Sequence, residues 1–273
     1  MKKSVFWFRR DLRFDDNIGL IKAIELGLPV LPIFIFDEVI LSDFLPDDPR
    51  VNFIYEELQK LNSQLRLHGS SLLILKGDPM EVWSRLVNDY DIEQVFYNKD
   101  YEPYGIQRDD QISRMLKVNS IPFNGCKDQV IYEESEILKQ DGTPYTVFTP
   151  YKRRWLERFK SLDVLKFKKF NSFCKLDTTF PSKEDLGIKN SEIIVKPYTL
   201  SVADQYAAKR DFPALSFTSS LGPHLRFGTI SIRQIITQLK PENEMFLSEL
   251  IWREFFMQIL FHHPRVLSEN FRV

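Results

Sequence analysis

Cysteine is almost missing: Cys126 and Cys174 are the only two in 273 residues, and they stand far apart. They build neither a disulfide scaffold nor a zinc-ligand spacing, and a reducing, cytoplasmic compartment fits. An excess of one charge is also missing. Thirty-seven Lys and Arg balance 38 Asp and Glu, for a formal net charge of −1. No global basic field attracts a polyanion, so any nucleic acid must be held by a local patch. From Met1 the chain reaches a single four-residue apolar run, Val5-Phe6-Trp7-Phe8, before Arg9 and Arg10. That is too short for a signal peptide or a membrane span. Neither G-x-G-x-x-G nor a Walker A motif occurs, which disfavours a NAD-dependent dehydrogenase. Aromatic residues, in contrast, are plentiful, with 23 Phe. They signal a packed core or a pocket for a flat ring.

Read in order, the first 125 residues or so alternate between short apolar runs and helical periods. Strands are expected at 5–8, 30–36, 71–75, 94–97 and 121–123. Helices are expected at 18–26, 51–68, 79–90 and 104–118, with Asp15-Asp16-Asn17 offering caps and Pro79 in a first turn. Pro32 leaves one ladder bond unmade and is expected near a strand end. Such alternation predicts an α/β fold, a doubly wound five-stranded parallel sheet with helices on both faces. Ligands of these sheets sit at the carboxyl ends of the strands.

From 131 to 200 the periodicity weakens into a connector. Its stretch from Lys152 to Lys169 holds eight Lys or Arg against Glu157 and Asp163. A solvated linker helix and a local nucleic-acid patch are the two readings. After Ser201 the chain turns helical, with helices expected at 202–210 and 231–239. Thr218, Ser219, Ser220, Leu221 and Gly222 form a hydroxyl-rich turn. At a helix start, such a turn could cradle a phosphate. The adjacent His262 and His263 diverge on a helix and suit a helix end better than a metal.

Leu247 to Phe256 reads as a buried helix, apolar nearly all round. Yet Glu249, Trp252, Arg253 and Phe256 fall at i, i+3, i+4 and i+7 and share a face. Charged groups there need partners. Either Glu249 pairs privately with Arg253 and Trp252 is core, or the face meets a polar ligand. The last helices carry more apolar surface than some 70 residues can bury alone. The expectation is an amino-terminal portion of a longer protein, or a partner on the open face.

Several stretches together resemble the photolyase/cryptochrome family, closest to bacterial cyclobutane pyrimidine dimer photolyases. Trp7 to Asn17 looks like the family's amino-terminal signature. Asn98 to Tyr104 with Arg108-Asp109 is similar to its fourth-strand loop, and Tyr145 to Tyr151 to another family segment. Tyr206 to Pro213, Thr218 to Leu221 and Glu249 to Phe256 resemble the start of its helical FAD-binding domain. The resemblance implies an α/β domain over 1–130, a connector over 131–200 and an incomplete all-α FAD-binding domain over 201–273. It implies FAD contacts from Tyr206, Thr218, Ser219, Ser220, Leu221, Gly222, Phe246 and Arg253. Gly222 stands where a serine is usual, and Phe246 where tryptophan is frequent. Glu249 and Trp252 would be catalytic and face a flipped lesion, with Arg210 and Phe256 also contacting damaged DNA. An antenna chromophore of deazaflavin or folate type is implied, and Arg50, Asp100 and Arg108 resemble positions used by the deazaflavin-binding members. Tyr104 and Gly105 replace the polar pair of folate-binding members. The implied activity is light-driven dimer repair by electron transfer from reduced FAD, by a monomer when full length. A cryptochrome that signals through a protein partner is the alternative, and a nucleotide-binding module built on the first domain is a third.

Overall fold

The computed structural model describes residues 1–271, so the last two positions of the expected 201–273 domain lie outside the described residues. Strands and helices alternate through the first part: β1 (Lys3–Phe8), α1 (Ile18–Glu25), β2 (Val30–Asp37), the single turn α2 (Glu38–Leu41), α3 (Pro49–Arg66), β3 (Leu73–Gly77), α4 (Pro79–Asp89), β4 (Ile92–Asn98), α5 (Pro103–Val118) and β5 (Phe123–Cys126). The strands form one parallel sheet in the order β3-β2-β1-β4-β5. This is the doubly wound sheet that the alternation predicted.

Local chemistry accounts for the helix starts. Asn17, Asp48 and Asp78 each cap a helix through the side chain, and Pro49, Pro79 and Pro103 occupy first-turn positions where no amide is needed. The central strands read as continuous apolar runs because helices cover both faces. Phe6 and Phe8 pack into one core with Leu20, Phe34 and Leu58. Val5 and Trp7 point the other way, into a core with Ile33, Trp83 and Ile112. Pro32 lies near the start of its strand as expected, the third residue of eight in β2. Pairing with β3 starts only at Ile33, so at Pro32 that side of the strand has no β3 partner.

The remaining helices are α6 (Phe148–Arg158), α7 (Lys183–Leu186), α8 (Tyr206–Lys209), α9 (Leu221–Arg226), α10 (Ile232–Ile236) and α11 (Glu244–His262). Three expectations change. The expected 202–210 helix is a 3-10 turn, Ala203–Gln205, followed by the four-residue α8. The helix expected at 231–239 shrinks to α10. The lysine-rich stretch is helical only through Arg158, because Phe159 turns extended and stacks on Trp155 at 4.8 Å. Beyond it the chain is pinned to the first domain. Asp16 N donates to Leu165 O at 2.7 Å, and Phe167 N donates to Asp15 at 2.8 Å. Phe167, Phe170, Phe173, Leu186 and Ile188 then pack on the sheet's core.

A third core holds the helices together. It gathers Tyr151, Trp155, Leu221, Leu225, Ile235, Phe246, Ile251 and Phe255, with Ile131 and Ile137 from the segment before α6. Among the described residues no helix is long and apolar enough to cross a membrane.

Candidate functional site

Strand order reverses between β1 and β4, where a doubly wound sheet opens its ligand crevice. In this chain protein fills it. Asn98, at the end of β4, donates to Asp11 at 2.6 Å and to Asn17 at 2.8 Å, and accepts from Gly19 N at 2.9 Å. Ile18 N reaches Asp128 and Leu20 N reaches Asn17. The amides that open α1, which hold pyrophosphate in dinucleotide folds, are therefore taken internally.

The loop after β1 docks the helical body. Leu12 N donates to Phe227 O at 3.0 Å, and Arg13 Nη1 donates to Gly228 O at 3.1 Å. Arg13 and Arg233 both bond Asp128, at 2.6 Å and 2.8 Å. Arg233 also bonds Asp16 at 2.8 Å, and Asp16 accepts from Ser231 Oγ as well. All four charged residues are buried. Burial alone would raise the Asp128 carboxyl, but the two guanidiniums prevail and hold it below its usual range. Two cations and two anions thus cancel where the two bodies meet.

On α11, Glu249 and Trp252 are partly exposed and Phe256 is 59% exposed, so this side is not core. Glu249 pairs with Arg210, which follows α8. Arg253 departs toward the sheet domain and donates to Gln129 O at 2.9 Å. The private Glu249–Arg253 pair is thereby overturned, because a backbone carbonyl captures the arginine and a distant arginine reaches the glutamate. Phe148 stacks on Trp252 at 3.6 Å and 10°, and Phe256 at 5.2 Å and 24°. Tyr206 meets Phe246 edge-on at 5.2 Å, and the Arg210 guanidinium lies 5.5 Å from the Tyr206 ring. Tyr206, Arg210, Phe246 and Glu249 therefore form one cluster, continuous along α11 with the Trp252 stack.

The hydroxyl turn is partly self-satisfied. Thr218 Oγ1 accepts from Ser220 N and Ser219 Oγ from Leu221 N, while Ser220 takes a left-handed conformation. Gly222, in the first turn of α9, faces open space: a Cβ there would meet nothing within 4 Å. Gly222 and Arg253 line one cavity of about 290 Å³ between the bodies, with Arg10, Tyr101, Glu102 and Arg226. Burial would raise the Glu102 carboxyl, but hydrogen bonds from Arg10 and Arg226 hold it down to about 2. Burial pushes the Arg253 guanidinium down to about 10, opposed by Glu254 and reinforced by Arg226 and Arg10, so it remains a cation at neutral pH. Arg10 and Arg226 are paired with Asp100 and Glu102, which leaves Arg253 as the cation of this lining that, among the described residues, has no carboxylate in ion-pair range and could meet an anion such as a phosphate.

Of the three antenna candidates, Asp100 and Arg108 are linked through Arg9 and Asp109, and Arg50 stands apart. Arg50 pairs with Asp48 at 2.7 Å beside the Phe44 ring. Asp100 bonds Arg10 at 3.3 Å in the junction. Arg108 is buried between Asp37 and Asp109, where Tyr104 also donates to Asp37 at 2.7 Å.

Glu254 escaped the sequence reading as a site residue. It is 2% exposed and accepts from Ile131 N, Tyr132 N, Trp155 Nε1 and Tyr151 Oη at 2.6–3.3 Å. It thereby ties α11 to α6 and to the segment leading into it. Burial pushes its carboxyl up to about 7, against those donors and Arg253. The signal was a charged residue on the inward side of an apolar helix, next to Phe255.

Fold and site together define a class: a doubly wound α/β domain with a helical body docked at its carboxyl edge and an acidic, aromatic helix face left open. The chain belongs to the DNA photolyase family, whose model matches residues 4–171. It is 32% identical to a deoxyribodipyrimidine photo-lyase of Halobacterium salinarum, over 98% of this chain and 63% of that one. It is 30% identical to an uncharacterized 31.6 kDa protein of Synechococcus sp. (strain PCC 6716), over 92% of this chain and 98% of that one. It also matches the crystal structure of an archaeal photolyase from Sulfolobus tokodaii, solved with two FAD molecules, at a TM-score of 0.79 and 27% identity. All of this chain and 62% of that one are covered. The chain thus spans less than two thirds of the length of these photolyase relatives.

Proposed function

We propose that this chain serves light-driven repair of cyclobutane pyrimidine dimers in DNA, as a cytoplasmic protein that works with FAD. The observation that carries the reading is the open face of α11. There a carboxylate, an indole and a nearby guanidinium stand together at the surface of a helix that buries Leu250, Ile251, Glu254 and Phe255. An extruded pyrimidine pair needs an aromatic face to stack on and polar groups for its edges. Trp252 supplies the first once the exposed Phe256 ring, which stacks on it at 5.2 Å, moves aside toward the DNA; Glu249 supplies the second, and Arg210 flanks them.

The residues present fit a dinucleotide cofactor. Hydroxyls of Thr218, Ser219 and Ser220, the start of α9 at Leu221 and Gly222, and the Arg253 cation suit a diphosphate. Tyr206 and Phe246 offer apolar cover beside it. Bound reduced FAD would supply the electron that light transfers to the dimer. The protein's own residues bind and orient the lesion. An antenna role would join Asp100 and Arg108, linked through Arg9 and Asp109, while Arg50 stands apart in the first turn of α3. Two buried, unpaired cysteines accord with a reducing compartment.

The test is binding of oligonucleotides with and without one dimer, followed by illumination with FAD and a reductant. Trp252→Ala should weaken binding of the damaged strand about tenfold, in line with roughly 1–3 kcal/mol per stacked base. Its affinity for undamaged DNA should change less than twofold. Equal affinity of the wild-type chain for both DNAs, with no light-dependent dimer loss, would refute the proposal.

A further inference from the structure

The Arg210–Glu249 ion pair joins two side chains that the proposed function sends to different targets. We infer that this pair is a partner-exchange device that sets the selectivity for damaged over undamaged DNA; the inference rests on reading α11 as the lesion-facing helix. Each side chain is about one third exposed, so the pair is accessible and weak. Among the described residues Glu249 has no other hydrogen-bond or ion-pair partner. The nearest cation along α11, Arg253, is engaged with Gln129 O.

The two ends of the pair are mounted differently. Glu249 sits within the 19-residue α11, whose neighbours Ser248, Leu250 and Ile251 are buried. Arg210 follows a four-residue helix and leads into residues 211–216, all exposed. Arg210 also meets Asp211 at 3.6 Å and lies over the Tyr206 ring, but both belong to its own short segment and move with it, so Arg210 is the member that changes partner. A DNA phosphate is a strong competitor for a guanidinium. When it captures Arg210, the Glu249 carboxylate is left alone beneath a polyanion. Undamaged, stacked DNA offers that carboxylate nothing. An extruded pyrimidine offers its imide N–H, which restores a hydrogen bond to the charged group. Phosphate binding thus carries a penalty that only an extruded base removes, and non-specific binding is suppressed.

The experiment measures affinities of the full chain for undamaged and dimer-containing DNA at one fixed salt concentration. Glu249→Gln should tighten undamaged binding five- to tenfold and leave damaged binding equal or weaker, so selectivity collapses. Glu242→Gln, which removes an exposed carboxylate just before α11, should change undamaged binding less than twofold. In an Arg210→Ala background the Glu249→Gln gain should be at least threefold smaller, because no pair remains to be broken. Equal gains in both backgrounds would mean plain charge repulsion and would overturn the exchange. So would an unchanged undamaged affinity in Glu249→Gln while Trp252→Ala still loses damaged binding. Failure of the wild-type chain to prefer damaged DNA would instead overturn the underlying reading of α11.

Discussion

Replacing Gly228 by alanine isolates the docking of the helical body on the sheet. Gly228 has φ +64°, and a Cβ there would stand 2.2 Å from Arg10 O, 2.6 Å from Asp11 Cα and 2.7 Å from Arg10 C. Gly27 has φ +76° and nothing within 4 Å of its Cβ position. Both alanine variants carry the left-handed backbone penalty, about 1–2 kcal/mol. They differ only in the contact. All three atoms that crowd Gly228 are backbone, so no rotamer change relieves the clash. The loop from Arg9 to Arg13 must retreat, which pulls Leu12 N from Phe227 O and Arg13 from Gly228 O. Two hydrogen bonds at about 1 kcal/mol each, plus strain on the buried charge cluster, set the difference at about 3 kcal/mol. Urea unfolding followed by tryptophan fluorescence reads both variants. Gly27→Ala should lose about 1 kcal/mol and Gly228→Ala about 4 kcal/mol. Losses within 1 kcal/mol of each other would refute the argument that this close approach holds the two bodies together.

The charge cluster and the buried glutamate give two more tests. Arg233→Met leaves Asp16 and Asp128 short of a cation in a buried site and should cost about 3–5 kcal/mol in the same unfolding assay. Adding Asp16→Asn should restore part of it, and a loss below 1 kcal/mol would show that the cluster is solvated. Glu254 has a folded-state value of about 7 against an ordinary 4.5, so the folded protein binds its proton more tightly. Its contribution is fully present below about pH 4.5 and is lost as pH rises through about 7. Relative to Glu254→Gln, the wild type should therefore lose on the order of 3 kcal/mol across that window. A pH-independent difference between the two would contradict the assignment.

Much of the first domain was legible because one physical rule governs it. A sheet covered on both faces needs apolar strands, and short polar segments with caps and prolines must separate them from the helices. Register was less legible: β3 and β5 begin two residues later than expected, since apolar runs do not say where hydrogen-bonded pairing starts. The helices after Ser201 were harder. Their lengths are set by packing against α11 and the sheet domain, so Val202 to Arg210 broke into two short turns despite its helical composition. At the site, the resemblance singled out Glu249, Trp252 and Arg210 by number. Periodicity placed Glu249 and Trp252 on one face of a helix, and left open whether Glu249 met Arg253 or a ligand.

Covalent order alone determined the parallel α/β architecture, the helical character of the second part and the residue types on the outer side of α11. Those properties follow from periodicity and composition within windows of a few turns. Tertiary structure decided who partners whom. Arg210 reaches Glu249 across 39 positions, Arg233 reaches Asp16 across 217, and Glu254 gathers donors from more than 90 residues away. Charged side chains in a partly buried setting take whichever partner the fold brings within hydrogen-bond range, and local spacing carries no information about groups so distant along the chain.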